Sequence, residues 1–296
     1  MQRASRPSYL IVLFSSCLLI FFGCSGAGDD RAGDDDGTTD SDTDTDSDSD
    51  SDSDSDTDDD GCSEDAKPIY VIDGDDSLYR FDAIEKTFTL IGEIDCPGVA
   101  GPFSMSVTRD AVAYVLLQTG DLCQVSTEDA SGELVAEYTP GQGGFQLFGM
   151  GYATIGPDTE EEKLYIGDDS SLGYIDEDTW EPFALGPIEG NPELTGTGAG
   201  ELWGFFPTDT PPRVSQLDKG DAQVLDNYPL PELSNDANAW AFAFWGGAFY
   251  IFYKTFDEDS TNVYKLEDGE LSMHIEDTGK YIVGAGVSTC APLEVE

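Results

Sequence analysis

One arrangement of strand-forming segments recurs five times in residues 62–296, and it constrains the fold more than any other feature of the sequence. Each copy is a hairpin, in which two short strand-like segments flank a turn rich in Asp, Gly, Thr or Lys. The copies occupy residues 77–94, 121–138, 171–188, 213–230 and 262–279, so their starts lie 44, 50, 42 and 49 residues apart. Almost no segment has sustained helical periodicity, so the sequence predicts an all-β domain.

A second pair of strand-like segments precedes four of the five hairpins. These pairs occupy residues 102–118, 148–168, 193–207 and 239–255. The first segment of each pair is rich in Gly, Ala, Ser and Met, which suits a crowded position where several strands converge. The second segment is rich in the aromatic and β-branched residues of a buried strand. Four strands at this repeat length predict the blades of a β-propeller.

The two ends of the repeat region are incomplete in complementary ways. Only residues 68–73 precede the first hairpin as a strand, and one strand-like segment, residues 281–289, follows the last hairpin. Together they complete a fifth blade in which the C-terminal strand is the innermost. We therefore predict five four-stranded blades closed by pairing of the N- and C-terminal strands. Six blades are the alternative if two short blades are merged, whereas a β-sandwich leaves residues 281–289 unexplained.

Four of the six cysteines lie in this domain, and an exported protein can pair them in three ways as two disulfides. Closing the ring brings the end of the last strand to the start of the first, which places Cys290 near Cys62. Cys96 follows the outer strand of the first blade, and Cys123 starts the third strand of the second, so both belong to one face. We predict the pairs Cys62–Cys290 and Cys96–Cys123.

The N-terminal residues have the layout of an export signal. Arg3 and Arg6 precede an apolar run over residues 9–22, which is short for a membrane-spanning helix. The run ends in LIFFGC, residues 19–24, which resembles a bacterial lipobox. The resemblance implies a signal peptide over residues 1–23, cleavage before Cys24, and lipidation of Cys24, for example with palmitate.

Residues 24–61 are predicted to be a disordered acidic linker, because residues 38–60 contain only Asp, Ser and Thr. Residues 29–60 hold 17 of the 61 acidic residues, and three of the 13 basic residues precede residue 61, which leaves 44 acidic and 10 basic residues in 62–296. The resulting net charge of −34 disfavours nucleic acid and anionic lipid surfaces as partners. We therefore expect the lipid to be the membrane anchor, with the acidic linker as an extended tether.

Residues suited to catalysis are scarce. The one histidine, His274, falls on an outer strand, so the sequence supports neither a His-based zinc site nor a serine–histidine pair. Five-bladed glycosidases use paired carboxylates at the inner strands, but here Glu193 stands alone at the edge of one such strand. We predict no catalytic residues and no enzymatic activity.

Three acidic loops are weak candidates for a calcium site, since they fall between the second and third strands of their blades and face the same way. Carboxylate oxygens suit hard cations, but Asp, Gly and Ser also favour turns, and we favour turns and expect no cofactor. The acidic candidates are Asp73, Asp75, Asp76, Asp168, Asp169, Asp257 and Asp259. We expect core positions for the aromatic residues Trp203, Phe205, Trp240, Phe242, Phe244 and Trp245.

The combination of a lipobox, an Asp-Ser/Thr repeat, propeller-like blades and the C-terminal VGAGVSTCAP resembles uncharacterised lipoproteins of myxobacteria and related delta-proteobacteria. The segments PFSMSVTRD, FGMGYAT and AFAFWGGAFYIFY are also similar to segments of that group. The blades are loosely similar to the NHL and YVTN types of propeller. These resemblances imply a fold and an anchor, and no activity.

We therefore expect an exported, lipid-anchored, monomeric β-propeller of the cell envelope that acts as a non-catalytic binding module. Ser25 after the lipidated cysteine points to the outer membrane, on its periplasmic or its outer side. The expected partner is an envelope or extracellular protein or a glycan. The alternatives are a hydrolase or lyase with an unrecognised axial site, which a deep pocket with paired carboxylates would favour, and a purely structural envelope protein, which a flat face without a pocket would favour.

Overall fold

The computed structural model describes residues 61–97 and 100–295, so the predicted signal peptide, Cys24 and the linker to residue 60 lie outside the described residues. The described helices are two 3-10 turns, Glu64–Ala66 and Gln142–Gly144. The strands in chain order are β1 Ile69–Asp73, β2 Ser77–Asp82, β3 Thr87–Glu93, β4 Pro102–Val107, β5 Val112–Leu117, β6 Leu122–Ser126, β7 Gly132–Leu134, β8 Gly149–Thr154, β9 Glu162–Gly167, β10 Ser171–Asp176, β11 Glu181–Pro187, β12 Glu193–Gly196, β13 Leu202–Phe206, β14 Arg213–Leu217, β15 Val224–Pro229, β16 Ala237–Trp245, β17 Ala248–Thr255, β18 Asn262–Glu267, β19 Glu270–Ile275 and β20 Ile282–Gly286. Within the described ranges, no helix is long and apolar enough to cross a membrane.

The strands form five antiparallel four-stranded sheets, as predicted. From the inner to the outer strand, blade 1 is β20-β1-β2-β3, blade 2 is β4 to β7, blade 3 is β8 to β11, blade 4 is β12 to β15 and blade 5 is β16 to β19. The innermost strands of neighbouring blades contact one another around the whole ring. The chain is therefore a five-bladed β-propeller.

The ring closes within blade 1, where the last strand pairs with the first. Strand β20 is antiparallel to β1, with Val71 opposite Ala285. The disulfide Cys62–Cys290 lies just beyond this pair and joins residues 228 positions apart, with their Cα atoms at 5.8 Å. The second disulfide, Cys96–Cys123, joins blades 1 and 2 across 27 positions. Both predicted disulfide pairs are confirmed.

The inner strands are rich in small residues because the backbones of neighbouring blades approach closely there. A β-carbon placed on Gly149 would lie 2.2 Å from the carbonyl oxygen of Pro192 in the next blade. A β-carbon on Gly196 would lie equally close, 2.2 Å, to the carbonyl oxygen of Tyr152. A side chain at either position would force the two blades apart, which confirms the crowding predicted for these strands.

Hydroxyl side chains on the inner strands bind the backbone of the neighbouring blade. The Tyr152 amide of blade 3 donates to Ser106 Oγ of blade 2 at 3.0 Å. The Phe244 amide of blade 5 donates to Thr195 Oγ1 of blade 4 at 3.1 Å. Because a buried amide without a partner is costly, these serine and threonine residues satisfy inner-strand backbone groups that have no strand partner on the axial side.

The hydrophobic core lies between the blades, where aromatic rings from adjacent sheets meet. Phe81 of blade 1 packs edge-on against Phe252 of blade 5, with ring centres 5.3 Å apart. Phe205 of blade 4 lies 6.0 Å from Phe242 of blade 5. His274 is half-buried in the outer strand β19, as expected, and its Nε2 lies 2.9 Å from the Ala83 carbonyl oxygen.

Candidate functional site: a cavity at the mouth of the axis

A cavity of about 380 Å³ lies where the inner strands begin. Every blade contributes a side chain at this point of its sheet. Blade 1 contributes Tyr281, blade 2 Phe103, blade 3 Leu147, blade 4 Glu193 and blade 5 Trp240. Because every blade contributes at least one residue, the cavity lies at the mouth of the axis, with most of its lining from blades 5, 1 and 2.

The propeller topology explains why these residues converge although they are far apart in sequence. After each outer strand the chain returns to the axis and begins the inner strand of the next blade. The first residues of the inner strands, or those just before them, therefore surround the axis on one face. The loops between second and third strands reach the same face, and Gly74 and Gln118 from two of these loops also line the cavity.

Glu193 is the acidic residue among the cavity-lining side chains, and it is only 2% exposed. The Ser104 hydroxyl of blade 2 donates a hydrogen bond to Glu193 Oε1. Ser104 Oγ in turn accepts the Met150 amide of blade 3 at 3.2 Å. The glutamate side chain thus reaches from blade 4 across to blade 2, and a short hydrogen-bond chain connects three blades at the axis.

Burial raises the pKa of Glu193 well above its usual value of 4.5. The hydrogen bond from Ser104 and the nearby Met150 amide lower the pKa, but by less than burial raises it. In the part of the chain that the structure describes, no ion pair includes Glu193. A desolvated carboxyl without a cationic partner favours its neutral, protonated form.

Aromatic side chains line the cavity from three consecutive blades, namely Trp240 of blade 5, Tyr281 of blade 1 and Phe103 of blade 2. Trp240 and Phe103 are half-buried, and Tyr281 is 40% exposed. These aromatic residues lie on one side of the ring, and Glu193 comes from the other side. The cavity is therefore lined by an aromatic wall, consisting of Trp240, Tyr281 and Phe103, and by a buried glutamate.

The predicted core positions of the aromatic residues are correct for most of the set. Trp203, Phe205 and Phe242 are buried, and Phe244 and Trp245 are half-buried against the core. Trp240 departs from the prediction, because it packs against the core and also lines the cavity. Its strand begins at the axis, so a residue near that start is open to the mouth.

The acidic loops form turns. Asp73 Oδ1 accepts the amides of Asp75 and Ser77, each at 3.0 Å. Asp168 Oδ1 accepts the amides of Ser170 and Ser171, each at 2.8 Å. Both aspartates thereby bond to the residues that follow them, as in Asx turns.

The seven candidate aspartates come from three different blades, and the structure does not bring them together. Within residues 61–97 and 100–295, no three His, Cys, Asp or Glu side chains are grouped as a metal site would require. Asp75, Asp169, Asp257 and Asp259 are exposed. Burial, followed by the charges of Asp73 and Asp75, raises the pKa of the partly buried Asp76.

A different polar group connects three blades at the opposite end of the axis. The Arg109 amide donates to Glu162 Oε1 at 3.0 Å, and the Thr289 hydroxyl donates to Glu162 Oε2 at 2.7 Å. Arg109 also donates to Thr289 Oγ1 at 3.2 Å and to Cys62 Sγ at 3.3 Å. Because these side chains bond to one another beside the ring-closing disulfide, they serve the closure of the ring.

The sequence alone did not identify this cavity. Glu193 stood out as a lone acid, without a role, and Phe103, Leu147 and Tyr281 were not singled out. The available signal was positional, since these residues occupy equivalent places at or just before the starts of four inner strands. A comparison of those places across the blades would have found an acidic residue and three apolar or aromatic ones.

Comparisons with known proteins show no relationship at the level of sequence. No family model matches the chain, and no curated protein matches it. A chain of a nidogen/laminin complex is 10% identical, with a TM-score of 0.49, over 77% of this chain and 98% of that one. Hydrazine synthase of Kuenenia stuttgartiensis is 15% identical, with a TM-score of 0.43, over 73% and 68%.

A protein of unknown function from Bacteroides caccae is 12% identical, with a TM-score of 0.45, over 74% of this chain and 98% of that chain. At these identities the neighbours concern only the fold. The fold itself follows from the strand pairing, in which five four-stranded antiparallel blades close into a ring.

Proposed function

We propose that this protein is a non-catalytic binding module that takes a small ligand in the axial cavity. The observation that carries the proposal is that the buried Glu193 lines the same cavity as the aromatic wall. Ligand sites are typically concave, mostly apolar and supplied with a few placed polar groups. The cavity, with Glu193, Gln118 and Asn238 among apolar neighbours, has this composition.

The energetic cost of Glu193 supports a binding role. A buried carboxyl without a cationic partner lowers the stability of the folded state. Ser104 donates to Glu193 Oε1, and Glu193 also lines the cavity. A ligand with a matching polar group would be oriented by this carboxyl.

The cavity offers less support for a hydrolase. Hydrolysis of glycosidic bonds commonly requires two carboxyl groups, one acting as an acid and the other as a base or nucleophile. Among the described residues that line the cavity, Glu193 provides the single carboxyl group, and none is a histidine, cysteine or lysine. The proposed role is therefore retention of a ligand, without its chemical conversion.

We further propose that the module is exported and held at the cell envelope by a lipid on Cys24. The two disulfides support an oxidising compartment, and the lipobox-like residues 19–24 and the acidic linker support the anchor and the tether. Labelling of growing cells with a radioactive fatty acid tests the anchor. The label should appear on the wild-type chain and be lost in Cys24→Ser, whereas equal labelling of both would refute the anchor.

Thermal unfolding of the full chain against small molecules tests the binding role. The panel contains sugars, short peptides, organic amines and Ca²⁺. A ligand at a hundred times its dissociation constant should add about 2.7 kcal/mol to the free energy of unfolding, which raises the melting temperature of a domain of this size by about 5–10 °C. If no compound in the panel raises the melting temperature, the result would contradict the proposed function.

A further inference from the structure

We propose that the axial cavity binds a small organic cation, an alkylated or methylated ammonium group, between the aromatic wall and Glu193. This inference rests on the proposed function, because it names the chemical class of the ligand for the same cavity. The arrangement of the five blades, the lack of a basic partner for Glu193 and the charge around the mouth each support it.

The inner strands bring aromatic side chains and a carboxyl to one cavity. Trp240, Tyr281 and Phe103 come from three adjacent blades, and Glu193 comes from blade 4, with its side chain held toward the axis by Ser104. Cations bind favourably over aromatic rings, and the interaction strengthens where water is excluded. An ammonium group in the cavity would contact the rings and the carboxyl together.

The second argument concerns charge compensation. Glu193 is buried without a basic partner among the described residues. A neutral ligand would provide only hydrogen bonds, and an anion would be repelled by the net negative charge of the domain. A cation would provide the opposite charge that stabilises an ionised carboxyl in a desolvated site.

The negative charge around the mouth of the cavity also favours a positively charged ligand. Gly74, which lines the cavity, belongs to the loop that carries Asp73, Asp75 and Asp76. With a net charge of −34 in residues 62–296, the field around the domain concentrates cations near its surface and accelerates their association.

One lysine contacts the aromatic wall, and a second contacts a ring outside it. The Lys254 ammonium lies 5.8 Å from the centre of the Tyr281 ring and donates to the Thr255 carbonyl oxygen at 3.0 Å. The Lys280 ammonium lies 4.0 Å from the centre of the Tyr79 ring. Because Lys254 already lies beside Tyr281, the proposal assigns the larger part of the aromatic contact to Trp240 and Phe103.

Isothermal titration of the full chain in mild detergent with two probes tests the inference. Choline and 3,3-dimethyl-1-butanol have nearly the same shape, but choline carries a positive charge where the alcohol has a neutral carbon. The wild-type chain should bind choline about tenfold more tightly or better, the ratio expected for a cation–π contact combined with a carboxylate.

Two variants test whether choline binds in the axial cavity. Glu193→Gln keeps the shape and the oxygen that accepts from Ser104, and it should weaken choline about tenfold while changing the affinity for the alcohol less than twofold. Trp240→Leu should weaken choline as well. Circular dichroism and the melting temperature of each variant establish that it folds.

The outcomes separate this inference from the proposed function. Equal affinity for both probes, failure of choline to bind, or choline binding that is unchanged in Glu193→Gln would overturn the organic cation as the ligand. A sugar or peptide that shifts the melting temperature in the panel would still support the binding module in each of those cases. Preference for choline that depends on Glu193 supports both.

Discussion

Replacing Cys62 and Cys290 by alanine removes the covalent closure of the propeller ring, and its effect can be compared with that of the other disulfide in the same chain. The two bonds differ strongly in the length of chain that they close, 228 positions for Cys62–Cys290 and 27 for Cys96–Cys123. A disulfide stabilises a protein mainly by restricting the unfolded chain, and the effect grows with the logarithm of loop length.

The loop lengths set the expected magnitudes. The chain-entropy relation gives about 5.5 kcal/mol at 25 °C for the loop closed by Cys62–Cys290, and about 3.6 kcal/mol for the loop closed by Cys96–Cys123. Cys62, Cys290 and Cys123 are buried and Cys96 is half-buried, and the Cys62 variant also loses the hydrogen bond from Arg109. Loop length by itself sets a difference of about 2 kcal/mol between the two variants, and the lost contacts of Cys62 act in the same direction.

Urea denaturation of the oxidised wild-type chain and of the two double variants measures these free energies. Tyrosine and tryptophan fluorescence and circular dichroism should report one transition, so that a single free energy of unfolding applies. The larger loss should belong to Cys62→Ala/Cys290→Ala. An equal or smaller loss than that of Cys96→Ala/Cys123→Ala would refute the idea that the terminal disulfide stabilises by closing the ring.

Three further perturbations test the site and the packing of the inner strands. Burial raises the pKa of Glu193 above 4.5 in the folded state, so the unfolded state loses this proton at a lower pH. The free energy of unfolding should therefore fall as pH rises from about 4.5 toward the pKa of the folded state. The fall is at most about 1.4 kcal/mol per pH unit. Urea titrations at several pH values should show that the free energy of unfolding falls less steeply with pH in Glu193→Gln than in the wild-type chain. The exposed Glu270→Gln is the control and should keep the wild-type pH dependence. A wild-type pH dependence in both variants would contradict the effect of the buried carboxyl. Gly196→Ala places a methyl group against the neighbouring blade and should destabilise the protein by about 1–3 kcal/mol. Gly156→Ala is the control and should change the stability little, because the nearest atom to its added methyl group is 3.9 Å away. Equal effects of the two variants in thermal melts would contradict the close approach of blades 3 and 4 at Gly196. Ser104→Ala removes a donor to Glu193 and an acceptor for the Met150 amide. Thermal melts should therefore show a decrease of about 1–3 kcal/mol in the free energy of unfolding. A decrease below about 0.5 kcal/mol would contradict this hydrogen-bond chain.

The sequence predicted the architecture well, because the architecture depends on local patterns that repeat. Hairpin turns, aromatic second strands and small-residue first strands each follow from the environment of one strand in a blade. The unmatched terminal strands, residues 68–73 and 281–289, predicted the closure, and the closure predicted the Cys62–Cys290 pair. The structure confirms each of these steps.

The cavity was not predicted, because it depends on contacts between residues that no local pattern relates. Ser104 and Glu193 lie 89 positions apart and on blades that are not adjacent. Whether Trp240 faces the core or the axis is decided by the exact start of its strand, which hydrophobic patterning does not define. The Asp73 and Asp168 turns show the opposite case, since their hydrogen bonds are local and follow from the residue types.

The most direct measurement is ligand-dependent thermal unfolding in a chain whose axial mouth has been filled. Val283 is half-buried and lines the cavity, so Val283→Phe should occupy part of its volume. Asp158→Phe adds the same ring at the opposite end of the axis and is the matched control. We predict that any compound that raises the melting temperature of the wild-type chain does so in Asp158→Phe and fails in Val283→Phe. A compound that stabilises all three chains equally would place its site elsewhere and contradict a binding function of the axial cavity.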